Sequence, residues 1–352
     1  MAYTTINKSS DYFNNKLWTG NGNSSHAQTG VGFQPDLVWL KARSESEYHF
    51  LFDAIRGATK GISSDLTAAE ATYAEGLKSF DSDGFTIGTS NGMNRSGTTY
   101  ASWNWKGNGA GSSNTDGSIT STVSANTTAG FSIVKFTGTG ANATVGHGLG
   151  SVPKFIFGKN ASVGTSAWPV YSSVLGGTKY LNINTSSAEG TFSGYWNNTN
   201  PTSSLISIGS HGDVNGVGDN MIYYCFAEKT GYSKFGSYVG NSDTNGTFVY
   251  TGFKPAFVMI KNTTNANNWF IIDNKRALFN LADDSLFPNS NSAEMTTQPT
   301  NYGLDILSNG MKMRTSGSHT ANNNNSSSNT YIYMAFAEAP LVGSNNVPCT
   351  AR

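Results

Sequence analysis

The chain has 352 residues, 22 of them basic and 22 acidic, and charged residues make up only 12% of it. A neutral chain so poor in charge lacks the basic surface that drives binding to nucleic acid or to an anionic membrane. Forty glycines predict many tight turns, while the 12% aromatic content supplies core area that disordered chains lack. No run approaches the roughly 20 apolar residues of a membrane span. The start, Met1-Ala2-Tyr3-Thr4-Thr5-Ile6, has no basic-then-apolar signal segment, so synthesis in the cytoplasm without a leader is expected.

In chain order, Lys16-Leu17-Trp18-Thr19-Gly20-Asn21-Gly22 reads as a strand running into a glycine turn. Gly32-Phe33-Gln34-Pro35-Asp36-Leu37-Val38-Trp39-Leu40-Lys41 follows, with a proline at its start, a continuous apolar run and a closing lysine. Proline is tolerated at the first position of a strand, and an unbroken apolar run predicts a strand covered on both faces. The lysine is expected to mark the return to solvent, its aliphatic stem lying along the apolar edge. His49 to Gly57 reads as a further strand carrying Asp53 and Arg56. The Ala-rich segment Thr67 to Ala74 is a candidate helical turn within a polar excursion. Phe80-Asp81-Ser82-Asp83-Gly84-Phe85-Thr86-Ile87 has the Asp-Gly pair of a tight hairpin. Tyr100-Ala101-Ser102-Trp103-Asn104-Trp105 closes the set with Trp103 and Trp105 pointing inward.

The pattern then returns. Pro153 and Pro255 open the same proline–apolar–lysine segment, ending at Lys159 and Lys261, so the prolines at 35, 153 and 255 are 118 and then 102 residues apart. Solenoid units repeat at roughly 20–50 residues, so a period this long marks copies of a whole domain. Copy three keeps the charged pair as Asp273 and Arg276, whereas copy two reads Trp168 to Gly176 and has neither charge. The alternating strands Met221 to Glu228 and Tyr331 to Glu338 match the first copy's last strand, and place Phe226 and Phe336 in a core between two sheets. The resulting expectation is an all-β protein of three tandem β-sandwich, jelly-roll-like domains. Their bounds are 1–107, 127–231 and 232–343, with a flexible Gly/Ser-rich linker over 108–126 and a tail over 344–352.

Several residues invite a chemical reading. Gly88-Thr89-Ser90-Asn91-Gly92 has the spacing of a hydrolase nucleophile turn, but its counterpart around Ser308-Asn309-Gly310 keeps only the Ser-Asn-Gly turn, so a turn is expected. Asp81 and Asp83 fall short of the six to eight oxygens that calcium takes. Asp53 with Arg56, and Asp273 with Arg276, are expected to tie loops down. The five histidines (His26, His49, His147, His211 and His319) show no metal-ligand spacing, and His147 reads as a turn residue. Of the two cysteines, Cys225 reads as a buried inert thiol and Cys349 as a free thiol in the tail. No cofactor is expected. Trp168 and Trp269 share one aligned position and read as core. Trp196, between Tyr195 and Asn197 in a polar setting, is the candidate for stacking on a sugar, with Tyr195 and Asn197 beside it.

Taken together, Gly32 to Lys41, Phe52-Asp53-Ala54-Ile55-Arg56-Gly57, Ser79 to Phe85 and Trp103-Asn104-Trp105-Lys106-Gly107 resemble a repeat domain of structural proteins from marine tailed bacteriophages. The resemblance implies exposure on a virion surface and contacts with other virion proteins, not a reaction. The absence of a coiled-coil heptad or a repetitive shaft favours a capsid decoration or knob, assembled as a homo-oligomer. The alternative is a tail-fibre or receptor-binding protein that recognises host surface glycans. A glycan-degrading enzyme would require two carboxylates at a set separation, and none is assigned.

Overall fold

A computed structural model describes residues 4–296, 302–316 and 323–342; His319 and Cys349 lie outside these. The chain is all-β, built of antiparallel sheets, with helix confined to short turns such as α1 (Asn91–Asn94), α2 (Ser193–Trp196) and α3 (Gly212–Asn215). Among the described residues no helix is long and apolar enough to cross a membrane.

The first repeat contains β1 (Phe13–Thr19), β2 (His26–Thr29), β3 (Leu37–Ala42), β4 (Phe50–Asp53), β5 (Lys60–Ser63), β6 (Ala71–Thr72), β7 (Leu77–Asp81), β8 (Gly84–Ile87) and β9 (Thr99–Trp105). They form a large sheet in the order β1-β9-β3-β4-β5-β6 and a small one, β2-β8-β7. The Asp-Gly hairpin is present, with Asp81 opposite Gly84. Thr67 to Ala74, read as a helical turn, instead supplies the short strand β6.

The second repeat contains β10 (Ser112–Asn114), β11 (Ser121–Asn126), β12 (Phe131–Thr137), β13 (Ala143–Gly146), β14 (Pro153–Asn160), β15 (Pro169–Ser172), β16 (Lys179–Asn182), β17 (Gly190–Thr191), β18 (Leu205–Ile208) and β19 (Asn220–Ala227). Its sheets are β10-β11-β12-β19-β14-β15-β16-β17 and β13-β18. The third contains β20 (Ser233–Val239), β21 (Phe248–Tyr250), β22 (Phe253–Asn262), β23 (Phe270–Asp273), β24 (Leu304–Leu307), β25 (Gly310–Met313) and β26 (Thr330–Pro340), in sheets β20-β26-β22-β23 and β21-β25-β24. The stretch expected to be a flexible linker is thus folded. β10 and β11 extend the second large sheet, and Ile119 pairs in parallel with Val145 along the outer edge of β13.

Register aligns the repeats. Leu37 lies opposite Trp105, Phe155 opposite Phe226, and Phe257 opposite Phe336. Each of these is two residues beyond its proline, so Pro35, Pro153 and Pro255 occupy equivalent positions. Pro255 does not open its strand but sits inside β22, where the pairing register shifts; a bulge is one of the few strand sites that tolerates a missing N–H.

The three prolines' strands are buried on both faces, as their unbroken apolar runs predict. In β3, Val38 and Leu40 face the small sheet of their own repeat, together with Trp18, Phe85 and Ile87. Leu37 and Trp39 face away from it, into a core that gathers side chains from all three repeats. Phe226 and Phe336 also lie in this shared core rather than inside their own sandwiches, which corrects the sequence reading. At its centre the equivalent residues Trp105, Phe226 and Phe336 form a triangle, with ring centroids 6.0, 5.6 and 5.9 Å apart.

The arrangement is cyclic. The backbone N–H of Glu70 in the first repeat donates to Ala161 of the second. That of Glu189 in the second donates to Thr263 of the third, and that of Glu294 in the third donates to Arg43 of the first. Trp168 Nε1 donates back to Ser63 O, and Trp269 Nε1 to the equivalent Asn182 O, each 3.0 Å away. The repeats therefore close into one body with approximate threefold symmetry, and the three-domain division becomes three sheet pairs around a common core.

Candidate functional site

Trp196 does not present a ring to solvent. It ends the single-turn helix α2 and is 1% exposed, packed edge-on to Tyr171 and Tyr223 with ring centroids 5.9 and 6.3 Å away. Tyr195 is buried too, its hydroxyl donating to Asp213 over 2.7 Å. Asn197 adopts a left-handed conformation (φ 49°) as the C-cap and accepts from Asn142. Their polar neighbours in sequence suggested exposure. One helical turn instead directs the two rings into the core and leaves Asn198 and Thr199 outside. The sugar-stacking role assigned to Trp196 and Tyr195 is therefore withdrawn.

The charged pairs are buried junctions. Arg56 Nε donates to Asp53 Oδ2 over 2.5 Å, and the same oxygen accepts from Tyr224 of the second repeat at 2.8 Å. In the third repeat Arg276 Nε donates to Asp273 Oδ2, which also accepts from Trp103 Nε1 of the first repeat at 2.9 Å. Burial works against the Asp273 charge, but the Arg276 guanidinium and the Trp103 N–H hold its carboxyl below the usual range. Trp103, Tyr224 and Met334 are equivalent by register. The second repeat lacks the acid–arginine pair, and at the third interface the equivalent partner is Met334, which has no hydrogen to donate. A buried carboxylate there would be left unpaired, so the two departures fit each other.

The closing lysines correct the sequence reading most sharply: Lys41, Lys159 and Lys261 are all fully buried. Their ammonium groups reach backbone carbonyls, Lys159 those of Thr67 and Ser166, and Lys261 those of Ser186 and Asn267. Thr67 and Ser186 each belong to the preceding repeat. Burial pulls the Lys41 and Lys159 amines down to about 8 and that of Lys261 to about 7.

The remaining candidates also have structural partners. Ser90 precedes α1, and its N–H donates to Glu75 O. His26 is bonded to Asn94. Asp81 accepts from Ser79 and Thr86, and Asp83 from the backbone of Gly30 and Gly32. His147 is a turn residue, accepting from Leu149 N and lying 3.2 Å from Thr202 O. His49 is kept neutral by burial and by Lys41 and Arg276 nearby. Cys225 is a buried thiol whose ionisation burial suppresses.

Sequence reasoning missed three equivalent asparagines, Asn94, Asn215 and Asn325. Each is buried and pins its repeat's first glycine turn: Asn94 Oδ1 accepts from Asn21 N, Asn215 Oδ1 from Thr139 N, and Asn325 Oδ1 from Asn241 N. A Cβ on Gly20, Gly138 or Gly240 would lie 2.1–2.2 Å from a carbonyl oxygen of that loop. The readable signal was an asparagine recurring six residues before each last strand's first buried residue, Tyr100, Met221 or Tyr331.

Chemistry available to a ligand lies where the repeats differ. At one corner, between the loop after the proline-led strand and the loop before the last strand, Arg95 of the first repeat reaches Glu47 at 3.0 Å and Glu45 at 3.7 Å. In the third repeat Asn265 bonds Asn329 over 3.0 Å across the same corner. In the second, Gly216 stands where Arg95 would, and a groove of about 400 Å³ opens, lined by Asn160, Thr165, Asp213, Val217 and Asp219 among others. No curated protein matches this sequence. Residues 8–340 match the family described as "Domain of unknown function (DUF7483)", and the chain belongs to that family.

Proposed function

We propose that this protein is a non-enzymatic structural component exposed on the surface of a bacteriophage particle, acting as a capsid decoration or knob in contact with other virion proteins. The observation that carries the reading is where its reactive groups are used. The acid–arginine pairs, Lys159 and Lys261, and the tryptophan N–H groups sit at equivalent places and join one repeat to the next. Side chains committed to closing a ring serve rigidity, which suits a displayed part. The phage-like motifs Gly32 to Lys41 and Trp103 to Gly107 support the setting. Gold-labelled antibody against the protein, applied to intact phage and viewed by electron microscopy, tests it. Label spread over the capsid is expected. Label only at the tail would favour the receptor-binding alternative, and unlabelled particles would sink the proposal.

A further inference from the structure

We propose that the open corner of the second repeat binds a neutral or amino sugar. The groove has the make-up of a small-ligand site, with apolar flanks over a few fixed polar groups. Val217 is 79% exposed at its rim and Val163 is also exposed. Both offer aliphatic surface to the C–H face of a pyranose. Below them Asp213 is held in place from three sides, Oδ1 accepting from Ser166 Oγ at 2.8 Å and Ala167 N at 3.0 Å, and Oδ2 from Tyr195 at 2.7 Å. Asp219 Oδ2 accepts from Asn160 at 2.7 Å, which leaves the other carboxylate oxygen as an acceptor for a sugar hydroxyl.

Three further facts point the same way. A Cβ at Gly216 would lie 2.1 Å from Asp219 Oδ2 and 2.7 Å from Asn160 Nδ2, so a larger residue there would displace the two side chains that line the groove. The corner is bridged by side chains in the first and third repeats and left open in the second. His211 also lines the groove, its Nδ1 3.2 Å from Asp213 N and 3.5 Å from Asp213 Oδ2. Its ring is edge-on to the exposed Phe192, with centroids 5.4 Å apart. The acids Asp213 and Asp219 line the groove, and the nearby cation, Lys159, is fully buried on backbone carbonyls. That charge favours hydroxyl and amino groups and disfavours uronic and sulfated sugars.

The test is a glycan array probed with the full chain, followed by NMR titration of the best binder. Neutral or amino sugars should bind, and Val217→Arg, a change at an exposed position, should weaken them at least tenfold. Asp219→Asn should weaken them as well. The double variant Phe248→Ala with Tyr250→Ala removes the exposed aromatic pair of the third repeat's β21 and should leave affinity unchanged. Silence of the array toward neutral and amino sugars, preference for acidic ones, or loss of binding in the β21 variant with Val217→Arg unaffected would each overturn the assignment. The outcome is independent of particle labelling, so the site and the virion role can fail separately.

Discussion

Phe336→Ala tests how far the repeats depend on one another. The ring is 1% exposed and has six aromatic neighbours with centroids 5.0–6.2 Å away: Phe13, Trp105, Phe226, Tyr232, Phe235 and Phe257. Phe13 and Trp105 belong to the first repeat and Phe226 to the second. Truncating a buried Phe costs about 3–5 kcal/mol through lost transfer energy plus the residual cavity. Neighbours held from three directions cannot collapse into the space, so the upper end, about 5 kcal/mol, is expected. Against a total of roughly 5–15 kcal/mol that is a large share. Urea unfolding followed by tryptophan fluorescence measures it, because Trp18 and Trp196 report on the inner cores of the first and second repeats. Both should be lost together with the third repeat. Phe279→Ala, at a residue 79% exposed, should change stability by less than about 0.5 kcal/mol. A loss below about 1 kcal/mol for Phe336→Ala, or unfolding that leaves Trp18 and Trp196 in native surroundings, would refute the reasoning.

Three further outcomes are expected. Ser328 has φ 65° where its equivalents are Gly97 (φ 82°) and Gly218 (φ 74°); Ser328→Gly should relieve left-handed strain and stabilise by up to about 1 kcal/mol in urea, and a loss of stability would count against the assigned conformation. Lys261 titrates near 7 when folded and near 10.5 when unfolded. Below pH 7 both states carry the charge and the full cost of burying it is present, whereas between 7 and 10.5 the unfolded chain binds more protons. Stability should therefore climb with pH over that window by up to about 1.4 kcal/mol per unit. Urea midpoints for the protein and Lys261→Met that run parallel from pH 7 to 9.5 would contradict this. Trp196→Ala should cost about 3–5 kcal/mol as a core truncation, and a melting temperature unchanged by it would restore the ring to the surface.

Much of the architecture was legible because period and burial are local signals. The unbroken run Leu37–Leu40 predicted two covered faces, and the proline spacing predicted equivalent strands. What covers the second face was not legible, since it comes from repeats about a hundred residues away. The lysines were misplaced for that reason: Lys159 and Lys261 end their runs at an interface with the preceding repeat rather than at water. The Gly/Ser content of residues 108–126 argued for flexibility, yet Ile119 pairs beside Val145 and the serines of β11 fit an extended, partly buried strand paired to β10 and β12. The groove was invisible because it is defined by an absence, a glycine at 216 in place of Arg95, which acquires meaning only when the three corners are superimposed.

The claim that three repeats form one closed body is tested most directly by differential scanning calorimetry of the full chain, comparing calorimetric with van't Hoff enthalpy. A shared core predicts a single transition with a ratio near one. Resolved transitions, or a ratio approaching three, would mean that the repeats melt as independent domains and would contradict it.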